Sequence, residues 1–143
     1  MLSNSSKYAI KAVLFLAINS SQDKRIMVKD IYSDINVSET YLAKLLQELS
    51  RHNIISSSRG PKGGFFLTDR ELHQSLIEIV RVIDGEKHIH SCVLGISQCD
   101  AKDPCMLHDL LGPSKTNFMK ILATTTIYDV VHNLKTVDVF FPS

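Results

Sequence analysis

The sequence predicts a mainly α fold in which a helix-turn-helix is followed by a β-hairpin wing and then by a long C-terminal helix. Two observations define the front of it: apolar residues recur at helical spacing before and after the tight connection Asn36-Val37-Ser38. A third is the glycine-rich turn Arg59-Gly60-Pro61-Lys62-Gly63-Gly64, which separates two short strand-like runs.

The elements follow in order. Ser3-Asn4-Ser5-Ser6 offers caps for a first helix with Ile10, Val13, Leu14, Ala17 and Ile18 on its apolar face. Residues 19–23 read as a loop. Val28, Ile31, Tyr32 and Ile35 predict a short second helix. Ser38 can cap a third, in which Leu42, Leu45, Leu46 and Leu49 share one face. Ile54–Ser58 and Phe65–Thr68 read as the hairpin strands. Thr68 or Asp69 can cap a further helix lined by Leu72, Leu76, Ile79, Val80 and Ile83 and ended by Gly85. Residues 86–106 show no periodicity. Pro113 and Ser114 introduce the long helix, with Phe118, Ile121 and Leu122 on one face. Thr124-Thr125-Thr126 interrupts it, and Thr126-x-x-Asp129 is a capping-box pattern able to restart a short helix through Val130, Val131 and Leu134.

With 44% hydrophobic and 22% charged residues in 143, the chain can bury an ordered core, so an ordered chain is expected, as one compact domain or as one small domain with a dimerisation appendage. Charge is unevenly placed. Residues 1–37 and 38–70 each carry five Lys/Arg against three Asp/Glu, whereas residues 84–110 carry two against five. An anion-binding surface therefore belongs to the first half. The apolar stretch Ala9–Ile18 is interrupted by Lys11 and too short to cross a bilayer, and no secretory signal is visible, so a cytoplasmic protein is expected.

A helix fits the major groove of duplex DNA, and the N-terminal part of a recognition helix meets base edges. Ser38, Thr40, Tyr41 and Lys44 are the candidates there, although Tyr41 can equally be a core residue and Glu39 can simply favour the helix N-terminus. In the wing, Arg59 and Lys62 flank glycines, Gly63 among them, that let the backbone approach phosphate or the minor groove closely. Any exposed turn carries Lys and Arg; it is the position one hairpin after a helix-turn-helix that favours DNA.

All three cysteines fall in the pattern Cys92-x6-Cys99-x5-Cys105-x2-His108. In a reducing compartment such thiols are metal ligands or reactive groups rather than a disulfide framework. Residue chemistry leaves three readings open: an iron–sulfur cluster, a structural zinc site of three Cys and one His, or unliganded redox-active thiols. The absence of short Cys-x-x-Cys knuckles weighs against zinc. His88 and His90 are weaker candidates, and His52, His73 and His132 lie on predicted helices far from the cysteines in sequence. No Gly-rich nucleotide loop, nucleophile elbow or acid–base pair supports an enzyme.

Three strings occur together and in order: Lys7-Tyr8-Ala9-Ile10-Lys11-Ala12, Val37-Ser38-x-x-Tyr41-Leu42-x-x-Leu45-Leu46, and the wing Arg59–Phe65. With Val82-Ile83-Asp84-Gly85 and Thr125-Thr126-Ile127-x-Asp129-Val130, they resemble the Rrf-type winged-helix regulators of bacteria over residues 3–134. That family includes an iron–sulfur cluster regulator, a nitric-oxide-sensing repressor and a cysteine-metabolism repressor. The resemblance implies a sequence-specific DNA-binding transcriptional regulator, with repression the expected sense. It implies a homodimer paired through the long helix and bound to double-stranded operator DNA. It divides the chain into a DNA-binding domain (1–84), a cysteine-containing sensor loop (85–111) and a dimerisation helix with its tail (112–143). It also implies an iron–sulfur cluster, 2Fe–2S or 4Fe–4S, on Cys92, Cys99 and Cys105, with His108 as fourth ligand. The first gap is one residue longer than is usual in the cluster regulator, and Lys7 stands where the nitric-oxide-sensing branch has a carboxylate ligand. A cluster-free or zinc-stabilised regulator, sensing through a partner or through thiol oxidation, is the alternative.

Overall fold

The computed structural model describes residues 2–31 and 35–133. Tyr32 and Leu134, assigned above to helices, lie outside the described residues. Helix α1 spans Asn4–Asn19. Its N-terminus is capped twice: Ser3 Oγ accepts from the Ser6 amide at 3.0 Å, and Asp84, 81 residues away, accepts from the Ser3 amide at 3.3 Å and the Ser6 hydroxyl at 2.7 Å. The Ser3 hydroxyl also donates to Asp84. Amides at a helix start have no intrahelical partner, and a carboxylate placed there meets both that need and the helix dipole. The buried stripe of α1 is Ala9, Ala12, Val13 and Leu16, with Leu14 beside it. The expected stripe of larger residues is thus rotated: Ile10, Ala17 and Ile18 are half-buried, because the two alanines admit close packing of α1 against several neighbours.

A 3₁₀ turn, Val28–Asp30, follows, and Ile31 and Ile35 plug the core beneath it. Asn36 then takes a left-handed backbone (φ 59°) that turns the chain into α2, Glu39–Arg51. Ser38 Oγ caps α2, accepting from the Tyr41 amide at 3.2 Å. Leu42, Leu45, Leu46 and Leu49 are buried as their spacing predicts.

Strands β1 (Ser56–Ser58) and β2 (Gly64–Phe66) pair antiparallel, Ser57 opposite Phe65. They are shorter than expected because Ile54, Ile55 and Leu67 leave the ladder to enter the core. Ile26 exchanges both backbone bonds with Phe65 (2.9 and 2.7 Å), adding a one-residue third partner to the hairpin. Gly64 is required there: at φ 149°, an added Cβ would lie 2.7 Å from the Ile26 carbonyl oxygen.

The helix expected from residue 69 to Gly85 is two helices. Helix α3 (Asp69–Leu72) is held by a Thr68/Glu71 capping box, and α4 spans Leu76–Ile89. The break has a tertiary cause. The Leu76 amide donates to the Thr125 carbonyl at 2.9 Å and the Ile127 amide to the Gln74 carbonyl at 3.0 Å, so the chain around residue 75 pairs with residues 125–127 instead of continuing a helix. Gly85 (φ 81°) kinks α4, and a further turn runs on to Ile89. Helix α5 spans His108–Thr124, starting five residues before Pro113 rather than at it. Pro113 sits in the second turn, where its missing N–H costs one bond to Asp109. Helix α6, Ile127–His132, begins with the predicted Thr126/Asp129 capping box.

The main core joins α1, α2, the base of the hairpin, α4 and Ile127 of α6. A smaller cluster of Ile77, Val80, Ile89 and Leu122 holds α5 on α4.

Candidate nucleic-acid interface and metal centre

The buried leucines of α2 fix which of its sides faces outward. Ser38, Glu39, Thr40, Lys44 and Gln47 are exposed on that side. Tyr41 is different. Its ring meets Tyr8 edge-on with centroids 6.0 Å apart, and its hydroxyl bonds to Ser5, so α2 is seated on the first turns of α1 through this side chain. Ser38 is both candidate and cap, its oxygen engaged by the Tyr41 amide.

In the wing, Arg59 and Lys62 are exposed. Gly63 is buried. Its amide closes the turn on the Gly60 carbonyl at 2.9 Å, and an added Cβ would lie 2.4 Å from the Ser58 carbonyl oxygen. Gly63 thus sets the narrowness of the turn carrying the two cations. Sequence patterns do not single out Arg25, whose guanidinium lies over the Phe66 ring at 5.5 Å, at the base of the same hairpin. The base is braced by buried Glu71, which accepts from the Ser56 hydroxyl at 2.8 Å and the Thr68 amide at 2.9 Å.

The second site lies at the far end of α4. The loop after α4 and the start of α5 bring Cys92, Cys99 and Cys105 together, their sulfurs all within 4.8 Å of one another. Cys92 Sγ is 3.6 Å from Cys105 Sγ, and Cys99 Sγ is 3.4 Å from His108 Nδ1. The Cys105 amide donates to Cys99 Sγ at 3.2 Å. The His108 amide closes a turn on the Cys105 carbonyl at 3.1 Å and its imidazole meets the Cys99 thiol, but His108 is not part of the group of three whose ligand atoms all lie within 4.8 Å of one another.

The donors are soft thiolates and an imidazole, which suit iron–sulfur clusters or zinc. Two thiolates on one tetrahedral metal atom at about 2.3 Å stand about 3.8 Å apart, close to the Cys92–Cys105 separation. The four side chains are half-exposed around an open cleft of about 270 Å³. Gly112 forms part of its wall, and a Cβ there would meet nothing within 4 Å. The residues present therefore fit a metal group in kind and in space.

Backbone amides of Ile96 and Leu94 bring the Cys92 thiol down to about 7, against some loss of hydration, and the other two thiols assist. For Cys99, the Cys105 amide pulls the thiol down, but lost hydration and the adjacent thiols outweigh it and push it up. Thiols packed this closely cannot all ionise freely without a cation to share.

Of the remaining histidines, His90 also lines the cleft, whereas His52, His73, His88 and His132 do not. His88 Nε2 lies 3.8 Å from Asp84, and His90 Nε2 lies 3.2 Å from Glu86. His73 and His132 stack on Tyr128, and His52 Nδ1 rests on the Glu48 carbonyl. Asp100 is occupied with its own loop, accepting from the Lys102 and Asp103 amides at 2.8 Å each.

Among known proteins, the family model Rrf2, described as an iron-dependent transcriptional regulator, matches residues 2–133. The chain is 28% identical over 138 residues to the HTH-type transcriptional regulator IscR of Escherichia coli, covering 96% of this chain and 84% of that protein. Among solved structures, oxidised Staphylococcus aureus CymR superimposes with a TM-score of 0.71 at 25% identity, covering 95% of this chain and 99% of that one. T. potens IscR superimposes at 0.66 over 99% and 96%, and at 20% identity that likeness concerns the fold. The fold is that of a winged-helix regulator, and the chain belongs to the Rrf2 family of transcriptional regulators.

Proposed function

We propose that this regulator reads double-stranded operator DNA as a homodimer and that an iron–sulfur cluster on Cys92, Cys99, Cys105 and His108 modulates the reading. The observation that carries the sensor half is the convergence of three thiols and one imidazole on a single open cleft, from positions spread over residues 92–108. The exposed outer side of α2, with Ser38, Thr40 and Lys44, would meet base edges, while Arg59 and Lys62 on the wing meet phosphate or the minor groove. Tyr41 and Gly63 contribute by holding α2 and the wing in shape. Helix α5 leaves Leu110 72% and Ile121 52% exposed, an apolar side suited to the same helix of a second copy. The division into a reading domain (1–84), a sensor loop (85–111) and a pairing helix (112–143) follows from these roles. A cytoplasmic location agrees with thiols kept free for metal.

The bound group would supply a redox-active, oxygen-sensitive centre that also draws the loop together. The chain's own residues carry the consequence. His108 is the first residue of α5, and the loop to Cys92 leaves the end of α4. Closing the loop on a metal therefore fixes α4 against α5 and, across a dimer, the separation of the two recognition helices. The switch works only as far as DNA affinity differs between the two states.

Anaerobic purification with iron and sulfide analysis and a visible spectrum tests the cluster. Operator binding with and without it, in wild type and in the Cys92/Cys99/Cys105→Ala variant, tests the switch. Unchanged affinity and response in that variant would sink it. The 3.6 Å Cys92–Cys105 separation favours one second reading, a single zinc in the same four ligands. A colourless protein with one equivalent of zinc would establish it.

A further inference from the structure

The wall of the cysteine cleft contributed by α5 is His108, Leu111, Gly112 and Lys115, the i, i+3, i+4, i+7 positions of one helical face. The first is the imidazole that meets the Cys99 thiol. The last carries the one Lys or Arg side chain among the residues lining the cleft. Lys115 also lines a second hollow, together with Ser91, Cys92 and Val93. Its ammonium donates to the backbone carbonyl of Ser91, the residue preceding Cys92. A long, half-buried side chain on the second helical turn past His108 is thus folded back onto the segment that presents the first thiol.

Several other charged groups have partners of their own. The Asp100 carboxylate caps its own loop, His90 faces Glu86, and Arg81 bonds to Glu78 and Glu86. Resting on the reading of the cleft as a cluster site, we propose that Lys115 is a positioning residue of that centre. It ties the Cys92 segment to α5 and supplies the local positive charge beside an otherwise anionic set of thiolates. Two effects follow from elementary electrostatics and geometry. One-electron reduction of the centre, with the electron drawn from an external reductant, adds a negative charge, and a nearby cation favours the reduced state. The tether also links the position of Cys92 directly to the helix proposed to pair with a second copy.

The test is a mediated redox titration of the full-length reconstituted protein, comparing wild type with Lys115→Gln and Lys115→Arg. At a given potential the reduced-to-oxidised ratio in Lys115→Gln should fall about tenfold, equal to about 59 mV for a one-electron couple. Lys115→Arg should restore most of it, which a purely steric role would not do. A Lys115→Gln titration superimposable on wild type overturns the proposal. If wild type instead takes up zinc without visible absorption, the cluster reading fails by itself. The tether is then read from zinc release to a chelator: release several-fold faster in Lys115→Gln supports it, and equal rates overturn it.

Discussion

The reading half and the cysteine segment are stabilised in opposite ways. In the first, Leu16, Ile31, Leu42, Leu46, Leu49 and Ile55 are all buried within one cluster. Each such side chain is worth about 1.5–3 kcal/mol on burial. In the second, large hydrophobic residues between Cys92 and His108 stay outside: Leu94 is 53% exposed and Met106 97%. The loop is held by isolated turn bonds, such as Gly95 amide to Cys92 carbonyl at 2.9 Å, and by bonds among the candidate ligands themselves. The reading half folds on its own apolar surface. The cysteine segment has almost none to bury, so a bound group would have most to add to its order.

Four sets of variants test this difference in stabilisation. The largest effect is expected from Leu46→Ala, which empties a fully buried site in α2 and should cost about 3 kcal/mol in a denaturant titration. The Cys92/Cys99/Cys105→Ala variant should leave the same metal-free unfolding midpoint nearly unchanged. An equal loss in both would overturn the distinction.

Next comes Asp84→Asn, which removes the charge from a carboxylate whose side chain is 6% exposed and which caps α1 from α4. Charge-assisted bonds of this kind suggest a loss of about 1–3 kcal/mol. Burial alone would raise this carboxyl, but the Ser3 and Ser6 bonds and the neighbouring His88 hold it below the ordinary carboxylate range. A lowered folded value means that this stability is present above the unfolded carboxyl's value, about 3.9, and is lost as pH falls through the folded one. Wild type should therefore lose stability more steeply than Asp84→Asn on acidification below about pH 4. Parallel pH profiles would refute the role.

A smaller effect is expected at the wing. Arg59→Ala with Lys62→Ala should weaken operator binding and reduce the salt slope by about 1.8, at about 0.9 for each phosphate that is no longer neutralised. Unfolding should be unaffected, since both side chains are exposed. An unchanged slope would place the DNA surface elsewhere. The smallest effect is expected from Gly112→Ala. An added methyl meets no atom, and alanine is the better helix former, so the metal-free protein should gain up to about 1 kcal/mol. Weaker metal retention in that variant would confirm that the glycine keeps the cleft open, and unchanged retention would show that it does not.

Much of this architecture is legible in the residues. The leucine stripe of α2, its Ser38 cap, the turn around Gly63 and the Thr126/Asp129 capping box all depend on neighbours within a few positions. The turn that joins His108 to Cys105 is local as well, whereas the contact of His108 with Cys99 spans nine positions. Periodicity and capping are local chemistry, and a local signal survives without knowledge of the rest of the chain. Tyr41 shows the limit: its helical position is readable, but its hydroxyl bond to Ser5 and its packing on Tyr8 are not.

Other features rest on pairs far apart in the chain. Asp84 caps a helix that begins some 80 residues earlier, through a bond to Ser3 that spans 81 positions. Residues 125–127 break a helix that periodicity runs unbroken from Asp69, because their backbone groups offer the 74–76 segment partners outside the helix. Ile26 imposes Gly64 by its close approach. The three sulfurs converge to within 4.8 Å only after α4 and α5 have packed through Ile77, Val80, Ile89 and Leu122. The same packing sets Lys115 beside Ser91, 24 residues away. Such pairings follow from how helices stack to exclude water, a collective outcome that no local pattern encodes.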